Sequence, residues 1–342
     1  MILKEVLQGK KSDKIPFWFM RQAGRYLPEY MEIRNHARAN SKNFLDMCYD
    51  VELATKITLQ PIERFDMSAV IIFSDILTIP DAMGWDVQFK ENIGPVLQKF
   101  ENQEDLVKIS QNSGLKKYNI VADVIKNVRS NLSKNKAVIG FSGCPFTLAC
   151  YMIQGGGSKD FEKVLKMVYE NESLFSNLIK ILTKCVIDYL CIQIDSGADV
   201  IQIFESHAGI LHGSLYEKYI IQINAKIVNE IKLKYPNVPI IAFPRGSGMS
   251  YKNFSKNVKC DGISIDNSCD DEFFKKNINN KVIQGNLNNY LLCYGSIPDI
   301  KSQVRHIIQN FQHKPFIFNL SHGVLKETPI KNIHAMIEEL YK

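Results

Sequence analysis

Arginine is scarce in this chain of 342 residues. Lys and Arg together number 42, and only eight are Arg, at positions 21, 25, 34, 38, 64, 129, 245 and 305. Long apolar runs are missing as well. Nothing reaches the roughly 18 consecutive apolar residues of a membrane-spanning helix, so no such helix is expected. The eight cysteines, at 48, 144, 150, 185, 191, 260, 269 and 293, contain no C-x-x-C pair. That spacing argues against a disulfide framework and a zinc ribbon, and predicts a reduced, cytoplasmic protein. The opening MILKEVLQGK mixes acid into a short apolar stretch and does not read as a signal peptide. The Asn-x-Ser/Thr matches at Asn131, Asn171, Asn253 and Asn319 then carry no meaning.

No linker rich in Gly, Pro or Ser divides the chain, and no internal repeat is visible. Residues 1–342 are therefore expected to form one domain. Apolar residues at 45% and charged residues at 23% are ordinary for a globular protein and exclude disorder and collagen. The net charge is +6, without basic stripes interleaved with stacking aromatics. Neither nucleic acid nor a membrane is expected as a partner.

What the chain does have is clustering of its few arginines. Four of the eight fall within residues 21–38. A sequence that uses Lys for general positive charge keeps Arg where the planar, bidentate fork is needed. A carboxylate or phosphate ligand near the N-terminus is the expectation.

Eight short apolar runs recur, at 16–20, 69–73, 137–141, 199–204, 238–243, 262–265, 281–283 and 315–319. They are rich in Val, Ile and Phe without alternation, which suits strands buried on both faces of a parallel sheet. Helical stripes lie between them: Ile120, Val124, Val128 and Leu132; Phe161, Val164, Leu165 and Val168; Ile220, Ile223, Ile227 and Ile231; Ile333, Met336, Ile337 and Leu340. Eight alternations predict an α/β protein, a single (β/α)8 TIM barrel with its active site at the C-terminal ends of the strands. A doubly wound sheet is the alternative. The long connection from Asp75 to about Asn102 predicts an extra loop or hairpin.

The unusual polar residues do follow the runs: Arg21 to Arg25, Ser74-Asp75, Ser142 to Pro145 and then Tyr151, Glu205-Ser206-His207, Arg245-Gly246, Asp266, Gln284 to Asn286, and Ser321-His322-Gly323. Each also has a bland reading. Arg21 and Arg25 fit a surface, although Gly24 between them lets backbone approach a ligand. Asp75 fits a helix cap or loop. Tyr151 fits a packing aromatic and His322 a hydrogen-bonded core histidine, while Ser206 alone says little. Gly155-Gly156-Gly157-Ser158-Lys159 has the wrong order for a phosphate loop and reads as a lid or turn with Ser158 capping the next helix. Cys144, His207, Cys269 and His322 could converge on zinc, but no local spacing pairs them, and no metal is expected. A Ser206-His322-Asp75 triad lacks its G-x-S-x-G elbow.

The run from Pro16 to Tyr30, PFWFMRQAGRYLPEY, closely resembles the N-terminal signature of the uroporphyrinogen decarboxylase family. So does GFSGCPFTLACYMIQGGGSK at 140–159. The stretches 73–77, 79–84, 202–209, 284–287 and 318–323 match in the same order. The resemblance implies a distorted (β/α)8 barrel, usually a homodimer, that needs no cofactor or metal. It implies conversion of the four acetate side chains of uroporphyrinogen III to methyls, giving coproporphyrinogen III. Asp75 would bind the pyrrole N–H groups. Arg21, Arg25 and Arg34 would bind substrate carboxylates, with Gln22, Ala23 and Gly24 in the same loop. Tyr151, Ser206 and His322 would be further substrate contacts, and Asp75, Arg21, Tyr151 and His322 the catalytic set. Arg38 is left without a role. Four departures stand out: Phe146 for Trp, Ser264-Ile265 for Asp-Trp, Asn288-Asn289 for Asp-Pro, and Ser321 for Gly beside His322. The first three read as packing or loop drift.

This chemistry suits these residues. Many carboxylates call for Arg forks. Loss of CO2 from an acetate leaves a carbanion, and a pyrrole protonated at ring carbon is its electron sink, so no separate cofactor is required. An ionised Asp75 would stabilise the cationic ring. The alternatives are a zinc-dependent corrinoid methyltransferase of the same superfamily and a tetrapyrrole-binding protein without turnover.

Overall fold

The computed structural model describes residues 1–91 and 93–342. In chain order its strands are β1 (Ala69–Ile71), β2 (Val87–Lys90), β3 (Gly94–Leu97), β4 (Ala137–Gly143), β5 (Val200–Glu205), β6 (Ile240–Pro244), β7 (Gly262–Ser264), β8 (Val282–Leu287) and β9 (Phe316–Leu320). Seven of them form one all-parallel sheet in the order β1-β4-β5-β6-β7-β8-β9, each next to its successor in the chain. Helices cross over between them, as a parallel sheet requires. The class is mixed α/β, as expected.

Seven of the eight expected runs become strands of this sheet. The first, 16–20, does not. It is extended but pairs only at Phe17, which bridges Phe318 in parallel. On one side Phe318 N–H donates to Pro16 O at 2.9 Å, and on the other Ser68 N–H donates to Phe17 O at 2.9 Å. Pro16 has no N–H to give, and Phe17 N–H is taken by the Ser68 hydroxyl at 3.1 Å. A regular ladder cannot form. Both edges of the sheet nevertheless bond to this one segment, so the sheet curls.

Residues buried on both faces leave two apolar clusters. Ala69, Ile71, Ala137, Ile139, Val200, Ile241, Phe243, Val282 and Ile317 turn inward with Trp18 and Met20. Val70, Val138, Ile201, Ile203, Ala242, Ile283 and Phe318 turn outward to helix residues such as Val124, Leu182, Ile227 and Val304. This period of two within each strand is what continuous apolar runs conceal. The inner space also holds a buried polar chain. Trp18 Nε1–H donates to Gln284 Oε1 at 2.8 Å, and Gln284 Nε2–H donates to Gln202 Oε1 at 3.1 Å and Ser264 Oγ at 2.6 Å. Ser264 is thus a hydrogen-bonded interior residue rather than drift. Phe146 is fully buried edge-on against Phe175, a packing role.

The predicted helical stripes lie mostly on Leu115–Asn131, Glu162–Glu170, Gln222–Lys234 and Ile330–Leu340; Leu132 and Phe161 flank their helices, and Ile220 lies in the π-helical turn Glu217–Ile221 just before the third. The long connection after Asp75 contains the antiparallel hairpin β2–β3. Its second strand bridges Gly156, and Leu97 N–H donates to Gly155 O at 3.1 Å. The glycine run is therefore a turn tied to the hairpin. Ser158 Oγ accepts Phe161 N–H at 3.2 Å, but the helix begins after Phe161, so Ser158 is not its cap. None of the described helices is long and apolar enough to cross a membrane.

Candidate active site

A cavity of about 1100 Å³ opens at the C-terminal ends of the strands. Arg21, Gln22, Ala23, Gly24, Arg25, Arg34, Asp75, Tyr151, Ser206 and His322 all line it. These residues come from loops and helices far apart in the chain, yet they converge.

The loop after the 16–20 segment is fastened from below. Gln22, fully buried, accepts Phe19 N–H at 3.0 Å and donates to Ala69 O at 3.2 Å. Its side-chain amide is spent on the backbone, so its part is to hold the loop. Val324 N–H donates to Met20 O at 2.9 Å and ties the same loop to the segment after β9. Arg21 adopts a left-handed backbone, φ 60°. For a non-glycine residue this costs about 1 kcal/mol or more and is kept where surroundings enforce it. Helix Pro28–Ala39 then presents Arg34 and Arg38 one turn apart on the cavity wall.

Pairing sorts the eight arginines. Arg34 and Arg38 meet Glu91, Arg64 meets Glu29, Arg129 meets Asp199 and Arg305 meets Glu339. Among the described residues Arg21, Arg25 and Arg245 have no carboxylate partner, and all three line the cavity. The Arg38–Glu91 pair is bidentate, at 3.2 and 2.7 Å, and both residues stand at the mouth. Arg38 thus has an intramolecular partner, on the hairpin that walls the cavity.

Asp75 sits beyond β1. Its Oδ1 accepts Leu77 N–H at 2.9 Å, so the loop-residue reading holds for one oxygen. Oδ2 has no donor among the described residues. Burial pushes the Asp75 carboxyl above its usual range, while the Leu77 N–H and the Arg21 charge pull it down. The anion there is short of donors, and further N–H donors would hold it ionised.

His322, after β9, is driven down to about 3 by burial and by the charges of Arg21 and Arg245. His207, after β5, falls to about 4 for the same kind of reason. Both imidazoles are neutral near pH 7. His322 Nδ1 and His207 Nε2 are buried without hydrogen-bond partners among the described residues. His207 packs between Tyr151 and Phe161, with ring centroids 5.3 and 4.4 Å away. Burial also raises the Tyr151 phenol. Arg245 and His207 line the cavity but were absent from the expected set. Their position directly after β6 and β5 was the only signal. Gly209 allows this close approach: its N–H donates to Arg245 O at 3.1 Å, where a side chain would strike the Gly246 backbone. No three His, Cys, Asp or Glu side chains among the described residues are grouped to hold a metal ion.

Residues 2–342 match the family description of uroporphyrinogen decarboxylase (URO-D). This chain belongs to the uroporphyrinogen decarboxylase family. The uroporphyrinogen decarboxylase of Rickettsia rickettsii is 43% identical over 340 residues, covering 98% of this chain and 96% of that one. That of Rickettsia bellii is 44% identical over 326 residues, covering 95% and 94%. Among solved structures, a methyltransferase from Methanosarcina mazei aligns with a TM-score of 0.77 at 16% identity, covering 99% of this chain and 97% of that one. A B12-independent methionine synthase from Shewanella sp. W3-18-1 aligns at 0.56 and 9%, covering 86% and 85%. These two likenesses concern the fold alone. The loop of Arg21 and the carboxylate of Asp75, by contrast, lie within family sequence in this uroporphyrinogen decarboxylase-like chain.

Proposed function

We propose that this chain removes the carboxyl groups of the four acetate side chains of uroporphyrinogen III, giving coproporphyrinogen III and CO2. One observation carries the reading. The three arginines without an internal carboxylate partner among the described residues face one cavity that also holds a half-buried carboxylate, Asp75, with one oxygen free. A flexible tetrapyrrole with eight carboxylates and four central N–H groups is complementary to that arrangement.

In this reading Asp75 Oδ2 accepts the pyrrole N–H groups, which supply the donors it lacks, and its negative charge favours a ring protonated at carbon. Arg21 positions the reacting acetate. Its C–C bond breaks, CO2 leaves, and the electron pair passes into the cationic pyrrole. A proton then adds to the exocyclic carbon to give the methyl, and the ring carbon releases its extra proton to restore the pyrrole, so each CO2 lost consumes one proton in total. Arg25, Arg34 and Arg245 hold carboxylates that do not react. Tyr151, Ser206 and His322 are hydrogen-bonding contacts in this reading. No cofactor takes part.

We read the chain as one domain, and the segment 16–20 as the eighth stave of a distorted (β/α)8 barrel. The bonds of that segment to both sheet edges support this. A homodimer in the cytoplasm fits the family, and the exposed, stacked Tyr290 and Tyr294 offer an apolar patch for association.

The test is anaerobic incubation of purified protein with uroporphyrinogen III, followed by chromatography of the oxidised products. Stepwise loss of four carboxylates is expected. Recovery of intact octacarboxylate would overturn the reading and leave a binding protein.

A further inference from the structure

Side chains along β5 alternate. Phe204 and Ser206 line the cavity, while Glu205 points the other way, into the helix layer. Glu205 is fully buried and meets no cation among the described residues. Its Oε1 accepts both the backbone N–H of Thr147, at 3.0 Å, and the Thr147 hydroxyl, at 2.5 Å. Asn224 Nδ2–H donates to Oε2 at 3.4 Å.

Thr147 is the third residue of helix Pro145–Gln154, whose flanking Cys144 provides no side-chain cap. Glu205 therefore caps that helix from another element, accepting an otherwise orphaned N–H at its positive end. The same Thr147 hydroxyl oxygen accepts His207 N–H at 3.4 Å. One turn further along the helix stands Tyr151, which reaches the cavity. A single hydroxyl–carboxylate pair thus joins the strand end that carries Ser206 and His207 to the helix that carries Tyr151.

We infer that Glu205 is a positioning residue: through Thr147 it fixes Tyr151 relative to Ser206 and His207, without itself touching substrate. This rests on the decarboxylase reading of the cavity. Folding alone gives little reason for an unpaired carboxylate in such a place, because burial of its charge is costly. That cost is visible in Glu205, which burial raises to about 7 against four hydrogen-bonding influences that lower it. The groups that feel its charge are Cys144 and Cys150 from the helix side and Tyr216 from helix Gly213–Tyr216. Burial raises all three, so they stay neutral near pH 7 and Glu205 is the group that titrates there.

The experiment compares Thr147→Val, Thr147→Ser and Glu205→Gln in the full chain with uroporphyrinogen, alongside thermal melts. Val matches Thr in shape but cannot bridge; Ser can. The expected result is a roughly tenfold fall in kcat/KM for Thr147→Val and a fall of less than about twofold for Thr147→Ser. Glu205→Gln should melt no lower than wild type at pH 8. It should also lose the wild-type change in kcat near pH 7, since Gln does not titrate. Equal activity of the Val and Ser variants, or an unchanged pH profile in Glu205→Gln, would overturn the positioning role. A lower melting temperature with normal kcat and KM would do the same by making the contact purely structural. If wild type itself leaves uroporphyrinogen intact, the decarboxylase reading fails instead.

Discussion

Gly323 is the space into which the Arg21 side chain folds. A Cβ at position 323 would lie 2.5 Å from Arg21 Cδ and 2.8 Å from Cγ. Arg21 also holds a left-handed backbone at that point, so two constraints meet on one residue. Gly323→Ala should push the guanidinium off its position. We expect kcat/KM for uroporphyrinogen to fall at least tenfold, with only a small drop in melting temperature, because the displaced group faces the open cavity. Wild-type kinetics in this variant would show that the Arg21 position is not needed.

Asp75 should separate activity from stability. Burial raises its folded pKa above the unfolded value, so the native state holds that proton more tightly. Stability is then lost as pH rises from the unfolded value through the folded one. Asp75→Asn should therefore melt at or above the wild-type temperature at pH 7. Asp75→Ala should nearly abolish turnover while Asp75→Glu retains some. Calorimetry and a turnover assay on the same preparations check both halves.

The two cavity histidines give the opposite slope. Their folded values, about 3 for His322 and about 4 for His207, lie below the unfolded value of 6.5. Their contribution is fully present above pH 6.5 and is lost as pH falls below it, by about 1.4 kcal/mol per pH unit for each. His322→Gln should flatten the decline of melting temperature between pH 6.5 and pH 5 relative to wild type. Asp75 and Glu205 act in the contrary sense at acidic pH, so the difference between the two proteins is the quantity to measure.

Arg25 is exposed and has no carboxylate partner among the described residues. Arg25→Lys keeps the charge but loses the fork. KM should rise several-fold while kcat changes less than twofold, and added salt should raise KM in both proteins. An unchanged KM would remove Arg25 from the carboxylate contacts.

Much of this was legible in the sequence because buried parallel strands are continuous apolar runs. The first run was over-read. Pro16 cannot donate, and the Ser68 hydroxyl takes the Phe17 N–H, so the ladder shrinks to one bridge. In the site, the Arg21 loop and Asp75 stood out by motif. Arg245 and His207 did not, because a lone Arg or His after a strand has no local pattern; their partners arrive from other loops. Arg38 could not be interpreted either, since Glu91 lies 53 residues away in sequence. Gln22 shows the reverse: it belongs to the motif but works as a backbone staple.

The segment at 16–20 has a consequence in time. Met20 N–H donates to Asn319 Oδ1 across 299 residues of chain, and Gly323 must arrive before Arg21 can settle. A nascent chain whose C-terminus is still being made can build helices and most of the sheet, but it has no finished place for a carboxylate. Contacts so distant in sequence form late and slowly. Ligand binding by this protein would therefore report the last event of its folding, the meeting of its two ends.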